Sequence, residues 1–289
     1  MDVDDSNNNF NINDPNQKRN SVNNNNLQLN IPSQNDYQFS GLISGMNRYK
    51  TIPLGDSEKI NNRSIVEITG EAGTGKSKLC YYLALKTVLP ERYGGLEKSC
   101  LFVTTFKKLN EEKMFEFFEV PAKSMGLDES EEIILFQRLT YKHLGFEDFQ
   151  RFFNEDFEKC LIENKVQTLI IDNVSCLCDE KFQGDRTYNY PARHKFLFDF
   201  FFQLNGIILK YNLFCFCVNE VRASIPSYET NYRNGLKPAM GKTWENNLGT
   251  RLFLKKNTNN HKRWIQVDFS NFLVKQYIEF KITNNGIEF

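Results

Sequence analysis

The segment Gly70-Glu71-Ala72-Gly73-Thr74-Gly75-Lys76-Ser77 carries the clearest chemistry in the chain. It fits G-x-x-x-x-G-K-[ST] without a mismatch, the pattern of a loop that wraps a phosphate. Gly70, Gly73 and Gly75 let the backbone curl until amide N–H groups converge on one anion. The N-terminus of the helix that follows adds partial positive charge. Lys76 is spaced to reach β- and γ-phosphates, and Ser77 to ligate Mg²⁺. Gly70, Gly73, Thr74, Gly75, Lys76 and Ser77 are therefore the candidate ATP-binding set. The metal in such a site needs a second carboxylate. Leu169-Ile170-Ile171-Asp172 reads as a buried strand ending in an acid, and Asp172 would hold Mg²⁺ through water. Taken singly, a Gly-rich turn and a strand-end Asp are ordinary. Taken together in this order they point to ATP and Mg²⁺ as cofactors.

A second group of residues suits a polyanion. Residues 222–263 hold nine basic side chains against Glu229 and Glu245, a net of +7. Tyr228 and Tyr232 lie among them. Basic groups interleaved with aromatic rings match single-stranded DNA, where phosphates meet Lys or Arg and bases stack. Arg222, Tyr228, Tyr232, Arg233, Lys237 and Lys242 are the candidate DNA-binding residues. The competing reading is a solvated basic edge. Ala223–Lys237 shows no apolar periodicity and reads as a loop. Asp179–Asn189 is a second candidate loop, weakened by its own acids. Cys176-x-Cys178 and Cys215-x-Cys217 lack a histidine at ligand spacing and read as free thiols rather than a zinc site. His143, His194 and His261 are scattered and read as structural or exposed.

These groups must be held by a frame. Short apolar runs at Ser64–Thr69, Cys100–Thr105, Ile133–Phe136, Thr168–Asp172 and Leu213–Asn219 predict strands. Helix-like stretches at Lys76–Leu89, Glu111–Phe118, Phe146–Asn164 and Pro191–Tyr211 lie between several of them. Alternation of this kind predicts an α/β fold with a mostly parallel sheet covered on both faces. Arg251–Leu254, Trp264–Phe269 and Tyr277–Ile282 follow one another through short polar turns, which predicts antiparallel strands at the C-terminal end. The Phe196–Phe202 run reads as core, or in part as a partner surface.

The chain has 289 residues, 40% of them apolar, enough to bury a sizeable core. No stretch is apolar enough to span a membrane, and the polar, acidic N-terminus does not read as a secretory signal. Residues 1–36 include 13 Asn and predict a disordered tail. The core then runs over 37–289. Lys+Arg and Asp+Glu both total 36, so net charge alone indicates no partner. Seven cysteines in a chain of this length do not suggest a disulfide scaffold.

With these motifs in order, residues 60–289 resemble the RecA-like recombinase ATPases, and among them the eukaryotic recombinase paralogues that mediate homologous recombination. Ile65–Glu71 runs into the phosphate loop as in that family, and Leu169–Asp172 matches its second nucleotide motif. Pro191-Ala192-Arg193 opens a long helix leading to Phe214–Asn219. Pro238-Ala239-Met240-Gly241-Lys242-Thr243-Trp244, with Asn247-Leu248 and Arg251-Leu252, resembles the segment after the family's second DNA loop. The resemblance implies a RecA-like P-loop core, ATP binding and single-stranded DNA contact. It also implies assembly with another paralogue, assistance to a recombinase filament and a place in the nucleus. It makes Asn219-Glu220 the sensor pair, where the family has Asn-Gln. A carboxylate at Glu220 would repel a γ-phosphate unless paired.

Two departures temper the enzymatic reading. Phe106 falls where the family carries its catalytic glutamate, and Phe cannot orient water. Glu111 and Glu112 fit the next helix better than that role. No Phe-x-x-Ala, the family's polymerisation motif, precedes the phosphate loop, and no N-terminal helical DNA-binding domain is expected. The reading is thus a weak DNA-dependent ATPase that uses ATP as an assembly switch. Its rivals are an ATPase with its own strand-exchange activity and a P-loop ATPase or kinase unrelated to DNA.

Overall fold

The computed structural model describes residues 49–105, 111–182, 190–223, 235–284 and 286–289. The expectations for residues 1–36, Phe106, Tyr228, Tyr232 and Arg233 lie outside those residues.

Nine of the described strands form one sheet, and their residue types explain why it is buried. Its centre is β3 (Ile65–Gly70), β4 (Ser99–Thr104), β6 (Val166–Asp172) and β7 (Phe214–Asn219). All six residues of β3 and of β7 are buried. Phe214, Phe216 and Val218 of β7 belong to one core, while Cys215 and Cys217 belong to the other. A strand that is apolar on both faces needs a cover on each. Helix α1 (Lys76–Val88) covers the first face together with α2 (Glu111–Ser124). Helices α4 (Phe146–Glu155), α5 (Phe157–Glu163), α6 (Val174–Phe182) and α7 (Tyr190–Tyr211) pack into the second core.

The strand order places the chemistry. With β5 (Leu139–His143), β10 (Thr250–Lys256), β11 (Arg263–Ser270), β12 (Tyr277–Thr283) and β13 (Gly286–Glu288), the sheet reads β13-β12-β11-β10-β3-β7-β6-β4-β5. From β10 to β5 neighbouring strands are parallel, and β10 through β13 pair antiparallel. The predicted α/β fold with antiparallel C-terminal strands is the observed one. The ends of β3, β6 and β7 lie side by side, where parallel α/β sheets form their clefts.

Several local expectations change. Ile133–Phe136 is not a strand but lies in helix α3 (Glu129–Gln137). Asp128 and Glu131 form a reciprocal capping box there, and a short apolar run cannot by itself choose between strand and helix. The missing strand is β5, whose residues are only partly buried. Phe146–Asn164 is two helices joined at Asp156. The ends of the expected 223–237 loop are paired strands, β8 (Val221–Ala223) and β9 (Leu236–Pro238). A hairpin of β1 (Thr51–Leu54) and β2 (Glu58–Asn61) was not anticipated. No described helix is long and apolar enough to cross a membrane.

Candidate nucleotide site and its neighbouring ribbon

The phosphate-loop motif sits between β3 and α1. Gly70 has φ +149° and lies so close to β10 that a Cβ would come within 2.4 Å of the Leu254 carbonyl oxygen. Gly75 caps α1 with φ 111°, and a Cβ there would come within 2.9 Å of Ile282. Only glycine fits both positions. A Cβ on Gly73 would meet nothing within 4 Å, so that side of the loop is open. The first turn of α1 carries no acidic residue and no side-chain cap. Its unpaired N–H groups are left for an external anion.

The polar side chains gather at this opening. Lys76 Nζ donates to the carbonyls of Gly70 (2.8 Å) and Glu71 (3.0 Å). Burial lowers its pKa, opposed by the charges of Glu220 and Asp172. Ser77 Oγ donates to Asp172 Oδ2 at 2.8 Å. Burial raises the Asp172 pKa, and the Ser77 hydrogen bond and Lys76 oppose the shift. Thr74 is buried, and its hydroxyl donates to the Glu71 carbonyl at 2.8 Å, so that side chain braces the loop.

A hydroxyl from the first turn of α1 and a carboxylate from the end of β6, beside a lysine and open amides, fit a triphosphate with Mg²⁺. Ser77 and Asp172 would hold the metal, and Lys76 with the loop amides the phosphates. Among the described residues no group of three His, Cys, Asp or Glu side chains could bind a metal. The seven cysteines carry no disulfide.

Glu220 follows β7 at this edge. Its Oε1 accepts from Asn173 Nδ2 at 3.2 Å, and its charge acts on Lys76. Asn219 does not turn to the loop: its Nδ2 donates to Glu67 Oε1 at 2.6 Å inside the core.

The DNA candidates divide. Lys237 is exposed on β9. Lys242 is exposed on α8 (Lys242–Glu245) and pairs with Glu245 at 2.7 Å. Arg222 is exposed on β8 and forms an ion pair with Asp179 of α6. Asp179, expected in a second loop, is helical instead. Arg251, counted with the basic surface, is 1% exposed and pairs with Glu67. Its charge belongs to the core. The signal missed in the sequence was an opposite-charge pair placed in two strands that both read as apolar.

A sequence model described as Rad51 matches residues 44–289. The chain is similar to human "DNA repair protein RAD51 homolog 2", 23% identical over 216 residues, 66% of this chain and 55% of that protein. The mouse protein of the same name is 24% identical, matched over 60% of its length. "DNA repair and recombination protein RadA" of Aeropyrum pernix is 26% identical over 231 residues, 79% of this chain and 67% of that one. The chain thus spans little more than half the length of the human and mouse relatives. With the family match covering the whole described unit, on a mostly parallel sheet with a phosphate loop after β3, the chain belongs to the Rad51 family of RecA-like recombinases and their paralogues.

Proposed function

We propose that this chain is an ATP-binding recombinase paralogue that acts in the nucleus, in double-strand break repair by homologous recombination. It assists recombinase assembly on single-stranded DNA as part of a complex with another paralogue. The observation that carries the reading is the Ser77–Asp172 contact at the mouth of an intact phosphate loop in a Rad51-family chain. The names of the human and archaeal relatives supply the repair context.

Bound Mg²⁺ would supply positive charge for the β- and γ-phosphate oxygens. The chain's own residues do the rest. Open amides at the start of α1 orient the phosphates. Lys76 exchanges the Gly70 and Glu71 carbonyls for phosphate oxygens, which accept a stronger, charge-assisted hydrogen bond. Asp172 and Ser77 fix the metal's position. Glu220, held by Asn173, and Asp172 oppose the burial that lowers the Lys76 pKa. The sequence places Phe106 where a general base would stand, so the chain holds ATP and turns it over slowly. ATP then favours assembly by binding the assembled state more tightly than the free one. Lys237 and Lys242, both exposed, would contact DNA backbone.

The test is recovery of the endogenous full-length protein with and without Mg²⁺ and a slowly hydrolysed ATP analogue, read by mass spectrometry. The proposal expects a second recombinase paralogue, enriched by the analogue. A chain recovered alone in both conditions would overturn the assembly role.

A further inference from the structure

Glu67 is a charged group that nucleotide binding does not use. It is fully buried in β3, three residues before the phosphate loop. A carboxylate in an apolar layer is costly unless each oxygen is satisfied. Here donors come from three elements. Oε1 accepts from Asn219 Nδ2 (2.6 Å) and from Trp244 Nε1 (2.7 Å). Oε2 accepts from Arg251 Nε, its register partner on the adjacent strand β10. Arg251 Nη1 reaches on to Glu245 Oε2 at 2.7 Å.

The donors share a topological property. Asn219 is the last residue of β7, separated only by Glu220 from the β8–β9 ribbon. Trp244 and Glu245 end the helical turn that follows it. The outgoing and incoming stems of the ribbon therefore meet on one carboxylate. The Glu220 carbonyl also accepts from Ala239 N at 2.8 Å, closing the ribbon's base, while its side-chain charge acts on Lys76. An apolar cluster of similar volume could stabilise the fold equally well. Directional donors do what apolar packing does not: they fix where both stems sit relative to β3.

We infer that Glu67 is a positioning residue that ties both stems of the β8–β9 ribbon to the strand entering the phosphate loop, making ribbon geometry and nucleotide binding one cooperative unit. This rests on the nucleotide reading proposed above. Trp244→Phe is the informative variant. It keeps an aromatic ring against Phe201, whose centroid lies 5.4 Å away, and deletes the N–H that reaches Glu67 together with part of the buried indole. Phe201→Leu is its control, loosening the same packing with the hydrogen bond intact.

The experiment measures amide hydrogen exchange over residues 236–248 in the full-length protein, with and without Mg²⁺ and a slowly hydrolysed ATP analogue. A parallel titration reads analogue affinity, and a melt reads stability. Wild type should show analogue-dependent slowing of about tenfold, the usual size of a coupling between sites. Phe201→Leu should lose stability but keep the slowing. Trp244→Phe should bind the analogue as wild type does and lose the slowing. Wild-type slowing in Trp244→Phe would overturn the inference, as would equal loss in the two variants. Titration by the wild type without slowing overturns it too, and leaves the nucleotide reading standing. No titration at all overturns the nucleotide reading itself, and the coupling with it.

Discussion

Lys76 is held in the loop by two carbonyls, and those are contacts a phosphate can replace. Removing the ammonium removes a charge-assisted hydrogen bond, so Lys76→Ala should weaken Mg²⁺·ATP binding by about 1.5–3 kcal/mol. Titration calorimetry checks this, and equal affinity would remove Lys76 from the site. On the ribbon, Lys237 is exposed and Arg222 is engaged by Asp179. Lys237→Ala should therefore flatten the salt dependence of single-strand binding by about 0.7 in log–log slope, the value for one lost phosphate contact. An Arg222→Ala change should act first on the ion pair with α6. At this scale the phosphate loop was legible because its spacing is dictated by phosphate geometry. Glu67 and Arg251 were not legible, because nothing in one strand's sequence says that its charge will face another's. The result is a basic count for residues 222–263 that included a core residue.

Among the elements, β7 is the one the fold depends on most, since it pairs with both β3 and β6 and is buried along its length. Phe216 is fully buried there, so Phe216→Ala should cost about 3–5 kcal/mol of stability, read in denaturant melts. Helical turn α8 is anchored by the buried Trp244 and also held through Glu245. Burial favours the neutral acid, but donors on Lys242 and Arg251 outweigh it and lower its pKa from 4.5. A carboxyl with a lowered folded pKa stabilises the fold above its unfolded value and loses that contribution as pH falls through the folded one. Stability should thus decline with pH below about 4.5, and Glu245→Gln should remove part of that slope. A melt series from pH 7 to about 3 reads the difference between the two proteins. The parallel strand Val166–Asp172 was legible over Thr168–Asp172 from the apolar run Leu169–Ile171. Edge strand β5 was not, because its half-exposed Leu139–His143 lacks such a run while the neighbouring helix supplies one at Ile133–Phe136.

At the scale of the whole molecule, the Rad51 family fold brings three strand ends together so that one edge carries the phosphate-loop motif, the Ser77–Asp172 contact and the base of the β8–β9 ribbon. What the family's turnover requires in addition is a general base, and the sequence offers Phe106 at that place. Glu220 is one of the described carboxylates whose charge acts on Lys76, beside Asp172 and Glu71, and Asn173 holds it. ATP is therefore proposed as a ligand that sets the ribbon and the partner surface rather than as a fuel. Single-turnover hydrolysis by the full-length chain, with Lys76→Ala alongside, tests this most directly. General-base assistance is worth about 10²–10⁴-fold, so the account predicts Mg²⁺·ATP held stably and cleaved slower than by a base-competent recombinase by that margin. Fast, Mg²⁺-dependent cleavage that Lys76→Ala abolishes would contradict it and would place the base on a carboxylate such as Glu220.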